Sequence, residues 1–493
     1  MTPLNPDSLP AADDEPEEFY PNGIFADTGR PLPLNPKAAV SAVRQTPAES
    51  EESRLASSRA QDLVAHYGVG AEVEDANDLE QAGWGVIFHS QAAPAVKAAL
   101  QPLLKRRSRE ARKRYKVFEN SDGYQPGESA IRWLARHRVR PEIVDPDLGV
   151  PFYLMIVGSP EEIPFEFQYA LDVYWAVGRL HFDEVEAYAR YAQSVVDYET
   201  ATSVPNARKI SIFSTSHDFD TATQMFSNYV ALPLANGDKL KEPLGQRLNY
   251  SLESFIGKEA TKENLNRILS GLTDGGPPAL LLSGSHGMVY SKDDPRLANG
   301  QGALVCQDWS GYGDITESDC YGADNLPADA KVQGLIHFFF ACYSAGWPML
   351  DDFQAPLDGQ SKQISPKPLM SRLPQRLLSH AAGGALATLG HVDRAWSYSF
   401  HSARIGGQIQ GFRDVMTRIL RGDRVGYATD QFDIRRVAVS DRLADKLRDI
   451  ARGAQVSDNQ LLGLWIERND ARNYVVLGDP AVRLRVADLA VRP

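Results

Sequence analysis

The sequence predicts an α/β fold, a three-layer α/β/α sandwich of mostly parallel strands preceded by a smaller α/β subdomain. Three observations carry this. Short, continuous apolar runs such as 152–157, 279–282 and 335–341 are bounded by glycine and polar residues, as in strands buried on both faces. Segments with helical periodicity alternate with those runs, which is the rhythm of strand–helix–strand units. Two of the runs also deliver chemically capable residues just past their carboxyl ends, where open α/β sheets gather their chemistry.

Taken in order, residues 1–60 read as a disordered tail. They are rich in proline, alanine and serine, with an acidic cluster over 13–18 and no apolar period. A short helix is expected over 60–67, a strand over 83–88 and a helix over 93–104. That helix runs into 105–116, where eight of twelve residues are basic. This run suits a solvated face, and an exposed basic segment is also open to a trypsin-like cut after Arg106, Arg107, Arg109, Arg112 or Arg114. Tyr115 is the only aromatic residue in it, thin support for a nucleic-acid patch. The run 152–158 is a buried strand, and the glycine after it opens no phosphate loop because no G-x-G-x-x-G or Lys-Ser/Thr follows. An amphipathic helix is expected over 182–200. A new unit opens at Val204-Pro205-Asn206, with strands over 209–213, 279–282, 335–341, 384–390 and 474–477. Helices are expected over 262–272, 409–420 and 440–452. The domain reading is therefore a tail (1–60), an N-terminal α/β subdomain (61–204) and a catalytic domain (205–493).

At 493 residues the chain exceeds one ordinary core. A net charge of −12 argues against general nucleic-acid binding. Cys306, Cys320 and Cys342 are the only cysteines, too few for a disulfide framework and suited to a reducing cytoplasm. No stretch approaches 18 apolar residues, so no membrane span is expected. The opening residues carry neither a basic region nor an apolar core, so no secretory signal is expected.

The chemistry concentrates in Ser283-Gly284-Ser285-His286-Gly287 and Phe340-Ala341-Cys342-Tyr343-Ser344, 56 residues apart from histidine to cysteine. A thiolate, not a thiol, attacks a carbonyl, and an imidazole beside it can take the thiol proton and pass it to a leaving amine. Gly287, lacking Cβ, lets backbone N–H groups approach a substrate oxygen. Each residue has a plainer reading, His286 in a turn and Cys342 as a small buried hydrophobe. A serine-hydrolase elbow fails because Ser283 and Cys342 stand where that pattern needs glycine. Cys306 and Cys320 lack companions at metal-ligand spacing and read as structural. His337 reads as a satisfied core histidine, and His391 as a second candidate base.

These two segments resemble the His-Gly and Ala-Cys motifs of the caspase, legumain and gingipain group of cysteine peptidases. Asp172-x-Tyr174 ahead of Val177-Gly178-Arg179, and Gly478-Asp479-Pro480, are similar to gingipain-type segments; the likeness spans roughly 152–484. It implies a caspase-like catalytic fold with Cys342 as nucleophile, His286 as general base and acid, and the backbone N–H groups of Gly287 and Cys342 as oxyanion hole. It implies an S1 pocket with Asp172 at its base and Trp396 on its wall, hence cleavage after arginine. If Asp172 is a surface or helix-capping residue instead, aspartate at P1 returns as the alternative. No cofactor is required, and the partners implied are protein substrates and an upstream activating protease, with neither nucleic acid nor membrane. Bacterial relatives of this kind serve defence pathways, some attached to CRISPR systems. The rival reading is a binding or scaffold protein that keeps the fold without turnover.

Overall fold

The computed structural model describes residues 18–47, 50–65, 73–355, 362–402 and 406–491. Its centre is one ten-stranded sheet. In chain order the strands are β1 (Trp84–Phe88), β2 (Tyr115–Phe118), β3 (Tyr153–Val157), β4 (Ala176–Leu180) and β5 (Lys209–Ser214). They continue as β6 (Ser251–Ile256), β7 (Leu280–Gly284), β8 (Ile336–Phe340), β9 (Ala387–His391) and β10 (Tyr474–Gly478). The spatial order is β2-β1-β3-β4-β10-β9-β8-β7-β5-β6. Every neighbouring pair is parallel except β9 with β10, whose register matches Leu389 to Val476.

The sheet is thus two parallel blocks of five, back to back across one antiparallel seam. Read from its outer edge toward the seam, each block has the same order, 2-1-3-4-5. The two blocks therefore present opposite ends to any one rim. Carboxyl ends of β5, β7, β8 and β9 share a rim with the amino ends of the first block. The order reverses between β5 and β7, which makes that rim the crevice of the second block.

Most of these strands are buried along their whole length, so helices must cover both faces. On one face Phe338 and Phe340 of β8 meet Phe412 on the helix Gln410–Arg421, and Phe338 meets Phe432 on the helix Asp430–Ala451. His337 of β8 bonds the Ser283 hydroxyl through Nε2 at 2.9 Å and lies in the core as expected, although its Nδ1 is buried without a hydrogen-bond partner.

The structure departs from the sequence reading in three places. Residues 18–47 and 50–65 are no tail, although 1–17 lie outside the described residues. Gly23–Phe25 is a strand, and Pro36–Gln45 and Glu51–Ala65 are helices. Their anchors, among them Ile24, Leu32, Val43 and Leu55, are buried against distant parts of the chain rather than against each other, which local periodicity cannot show. The basic run forms the helix Gln101–Ala111, a short turn and β2, with Lys105, Arg109, Arg112 and Lys113 exposed as a solvated face, but one of its arginines turns inward. Arg107 is fully buried, bonded to Asp479, Glu199 and Glu110 at 2.6–2.7 Å. Finally, the first unit is not closed by itself, because its fifth strand, β10, comes from residues 474–478.

Candidate active site

Five chain segments leave the second block at the crevice rim, and those after β5, β7, β8 and β9 carry the site. Beyond β7 lies His286, buried, and beyond β8 lies Cys342, equally buried. Gly287 begins a short strand, Gly287–Val289, that passes so close to the Cys342 carbonyl that a Cβ there would collide with it. Glycine is the residue this approach allows. Tyr343 takes a left-handed backbone (φ 58°) to turn the chain just after the thiol. Beyond β9, Asp393 does the same (φ 75°), and its carbonyl accepts the Tyr343 N–H.

His286 is held by a residue that the sequence reading did not single out. Its Nε2 lies 2.8 Å from Oδ2 of Asp220, six residues past β5 on the same rim. Asp220 also caps the helix Thr221–Phe226, accepting the Thr223 N–H and hydroxyl. Burial by itself would raise the Asp220 pKa, but the adjacent His286 ring and these hydrogen bonds outweigh it and hold the carboxyl below its usual range. Strand-end logic applied to β5 would have found it. His217 stands edge-on to Trp309, and burial, with His286 nearby, pushes it down to about 4.

The thiol of Cys342 receives the Ala395 N–H at 3.2 Å, and among the described residues no hydrogen bond joins it to His286. Burial raises its pKa, against the pull of that N–H and of Arg394. His286 Nδ1 is buried and unpartnered in its hydrogen bonding. One ring nitrogen is therefore anchored and the other left free to carry a proton.

The cleft is filled by the chain itself. The carbonyl oxygen of Asn22 accepts two N–H groups at 2.9 Å each, from Gly287 and from Cys342. Upstream, the Asn22 N–H donates to Ala395 O at 2.8 Å, Pro21 bridges Trp396 in antiparallel sense, and the Ser397 N–H donates to Tyr20 O at 3.0 Å. Downstream, Gly23–Phe25 pairs in parallel with Gly287–Val289. A Cβ on Gly23 would lie 2.8 Å from Cys342 Sγ.

The expected S1 pair is not brought together. Asp172 lines a small cavity with Asp433, Phe432, Leu389 and Tyr474, and takes a hydrogen bond from the Val177 backbone. Its nearby cation is Arg436 on the helix Asp430–Ala451. The Trp396 ring packs between Phe19 and Phe353 in a satellite apolar cluster, while its backbone bridges Pro21 in the cleft. The reason is strand alternation: with the backbone edge of 395–397 turned to Tyr20–Asn22, the Trp396 side chain turns to the core. His391, the second candidate base, lies instead among Phe340 and Tyr474 with Asp470 3.6 Å away. Cys306 and Cys320 are free, buried thiols in and beside the small sheet of Gly23–Phe25, Gly287–Val289, Leu304–Val305 and Cys320–Tyr321. Among the described residues no cluster of metal-ligating side chains occurs, and no helix is long and apolar enough to cross a membrane.

No family model matches the chain, and a search of curated proteins finds no match. Among solved structures, the chain is similar to the Arg-specific cysteine proteinase gingipain R (RgpB), with TM-score 0.47 and 12% identity over 85% of this chain and 81% of that one. A structure described only as a protease gives TM-score 0.46 and 12% identity, covering 83% of this chain and 81% of that one. The complex of pro- and mature domains of RgpB from Porphyromonas gingivalis gives 0.45 and 12%, covering 82% and 80%.

Proposed function

We propose that the protein is a cysteine endopeptidase in which Cys342 attacks the carbonyl, His286 moves the proton and the N–H groups of Gly287 and Cys342 hold the oxyanion. The observation that carries this is the convergence of those two N–H groups on one carbonyl oxygen beside the thiol. Two aligned donors at such an oxygen stabilise the charge that develops there, and removing one costs about 3 kcal/mol in comparable sites. The Asp220 carboxylate orients the ring and stabilises its charged form, so the site reads as a triad rather than the expected dyad. The substrates are proteins, bound as an added strand along 395–397 and 287–289. Cleavage after arginine needs a carboxylate facing the P1 side chain; Asp172 is engaged elsewhere, which leaves that preference without its pocket. Self-processing at Arg106, Arg107 or Arg109 is disfavoured too, since a peptide bond enters such a cleft extended and 101–111 is helical, which leaves Arg112 and Arg114, in the short turn that follows, as the processing sites to test. Activation by an upstream protease, a role in prokaryotic defence and a cytoplasmic location stand as further parts of the proposal, motivated by the motif resemblance alone.

The test is hydrolysis of a fluorogenic peptide library, spanning all P1 residues, by wild type, Cys342→Ala and Cys306→Ala. Turnover is expected in wild type and Cys306→Ala and lost in Cys342→Ala. Turnover that survives in Cys342→Ala removes the assignment. A wild type that turns over nothing, and whose Cys342 resists a thiol-directed probe, favours the scaffold reading.

A further inference from the structure

We infer that S1 of this site takes asparagine, and that the chain's own Asn22–Gly23 bond is bound there as a substrate. The inference rests on the peptidase reading above and goes beyond it in naming the P1 residue and the first bond cut. Three sets of contacts carry it. The oxygen in the oxyanion hole is that of Asn22, and the next residue, Gly23, lies against Sγ, so the bond between thiol and donors is Asn22–Gly23. Residues 20–22 follow a productive register on the unprimed side, with the P1 N–H on Ala395 O and the P3 carbonyl on the Ser397 N–H. The Asn22 side chain is fully buried, its Nδ2 lies 3.5 Å from Ser285 O, and its Oδ1 has no hydrogen-bond partner. A neutral carboxamide tolerates that setting, whereas a guanidinium or carboxylate buried there would need a counter-charge.

The geometry also selects the residue after the cut. Any side chain at Gly23 would press on Sγ and on Leu32, so glycine at P1′ keeps the attacking line open. The chemistry then balances without a co-reactant other than water. Cys342 gives its proton to His286 and Sγ bonds to the Asn22 carbonyl carbon. The C–N bond to Gly23 breaks, and His286 returns the proton to the Gly23 nitrogen. Water then hydrolyses the thioester, freeing the thiol and leaving Asn22 as a carboxylate. Upstream of the cut, residues 20–22 are held by few backbone bonds. Downstream, Gly23 stays paired with Gly287 and its carbonyl accepts the Leu32 N–H. Loss of the upstream piece would open the unprimed subsites to other substrates.

The experiment follows the full chain by intact mass and N-terminal reading in wild type, Cys342→Ala, Cys342→Ser and Asn22→Gln. It also offers wild type a peptide copying residues 18–27 and its Asn22→Arg version. A new N-terminus at Gly23 is expected in wild type and absent from both Cys342 variants. Asn22→Gln is expected to slow the cut by about tenfold or more, the scale of one misplaced methylene in a fitted pocket. The asparagine peptide is expected to be cut at least about tenfold faster than the arginine one. A chain that stays intact at Asn22–Gly23 while wild type cuts library peptides after other residues overturns the inference and leaves the peptidase reading standing. Cleavage or deamidation at Asn22 that persists in Cys342→Ser overturns it too, since Asn-Gly would then be reacting by itself. Wild type inert to every peptide brings down the peptidase reading instead.

Discussion

Asp220 serves two purposes through one carboxylate: it caps the start of a helix and it orients His286. The two can be separated. Asn caps helices as well as Asp, whereas Ala does not. Asp220→Asn is therefore expected to keep stability within about 0.5 kcal/mol while lowering kcat by at least about tenfold, and Asp220→Ala to lose about 1 kcal/mol of stability as well. Denaturant titration and peptide kinetics on both variants check this. Asp172 and Asp433 make a second residue-level case. Burial raises the pKa of both, for Asp172 to about 8 despite Arg436 nearby. Between the ordinary carboxylate range and that value the folded state holds a proton that the unfolded chain has released. Stability from this group is thus full at acid pH and falls as pH rises toward 8, by up to about 1.4 kcal/mol per pH unit. Asp172→Asn mimics the protonated form, so its Tm is expected to gain on wild type from pH 5 to about pH 8 and to level off above that in thermal scans.

At the scale of elements, the helix Gln101–Ala111 shows how one arginine of an otherwise solvated basic run becomes part of the core. Arg107 reaches Asp479 after β10 and Glu199 at the end of the helix Val185–Thr200, while Trp84 Nε1 donates to the other Asp479 oxygen at 2.9 Å. Asp479 thereby ties the first block's helix, its first strand and its last strand together. Removing one partner leaves buried charges uncompensated, so Arg107→Met is expected to cost about 3–5 kcal/mol, read by chemical denaturation. Arg109→Met, on the exposed face of the same helix, is expected to change stability by less than about 0.5 kcal/mol. The helix and its basic composition are legible from spacing. Which arginine turns inward is not, because its carboxylates are far away in sequence.

For the whole molecule the decisive feature is the β9–β10 seam. Because β10 completes the first block while pairing with the second, the two blocks share one sheet and one continuous core. Leu477 sits there, fully buried, opposite Thr388 on one side and Arg179 on the other. Leu477→Ala is expected to cost about 2–5 kcal/mol. The loss is expected to appear in both blocks, with hydrogen exchange of β1 and β8 accelerating together. Exchange that rises only in β1 would mean that the blocks open independently.

What the amino-acid order determined by itself is the α/β class, the positions of most core strands and the appearance of His286 and Cys342 at strand ends. Each of these depends on residues adjacent in the chain, where a run of apolar side chains and a terminating glycine carry their own physical meaning. The tertiary structure alone decided that Asp220 faces His286, that Asp172 and Trp396 do not converge, and that Tyr20-Pro21-Asn22-Gly23 lies in the cleft. Those are meetings between segments tens to hundreds of residues apart. The segment 18–32 has no period of its own, and it acquires a strand only when Gly287–Val289 offers an open edge to pair with.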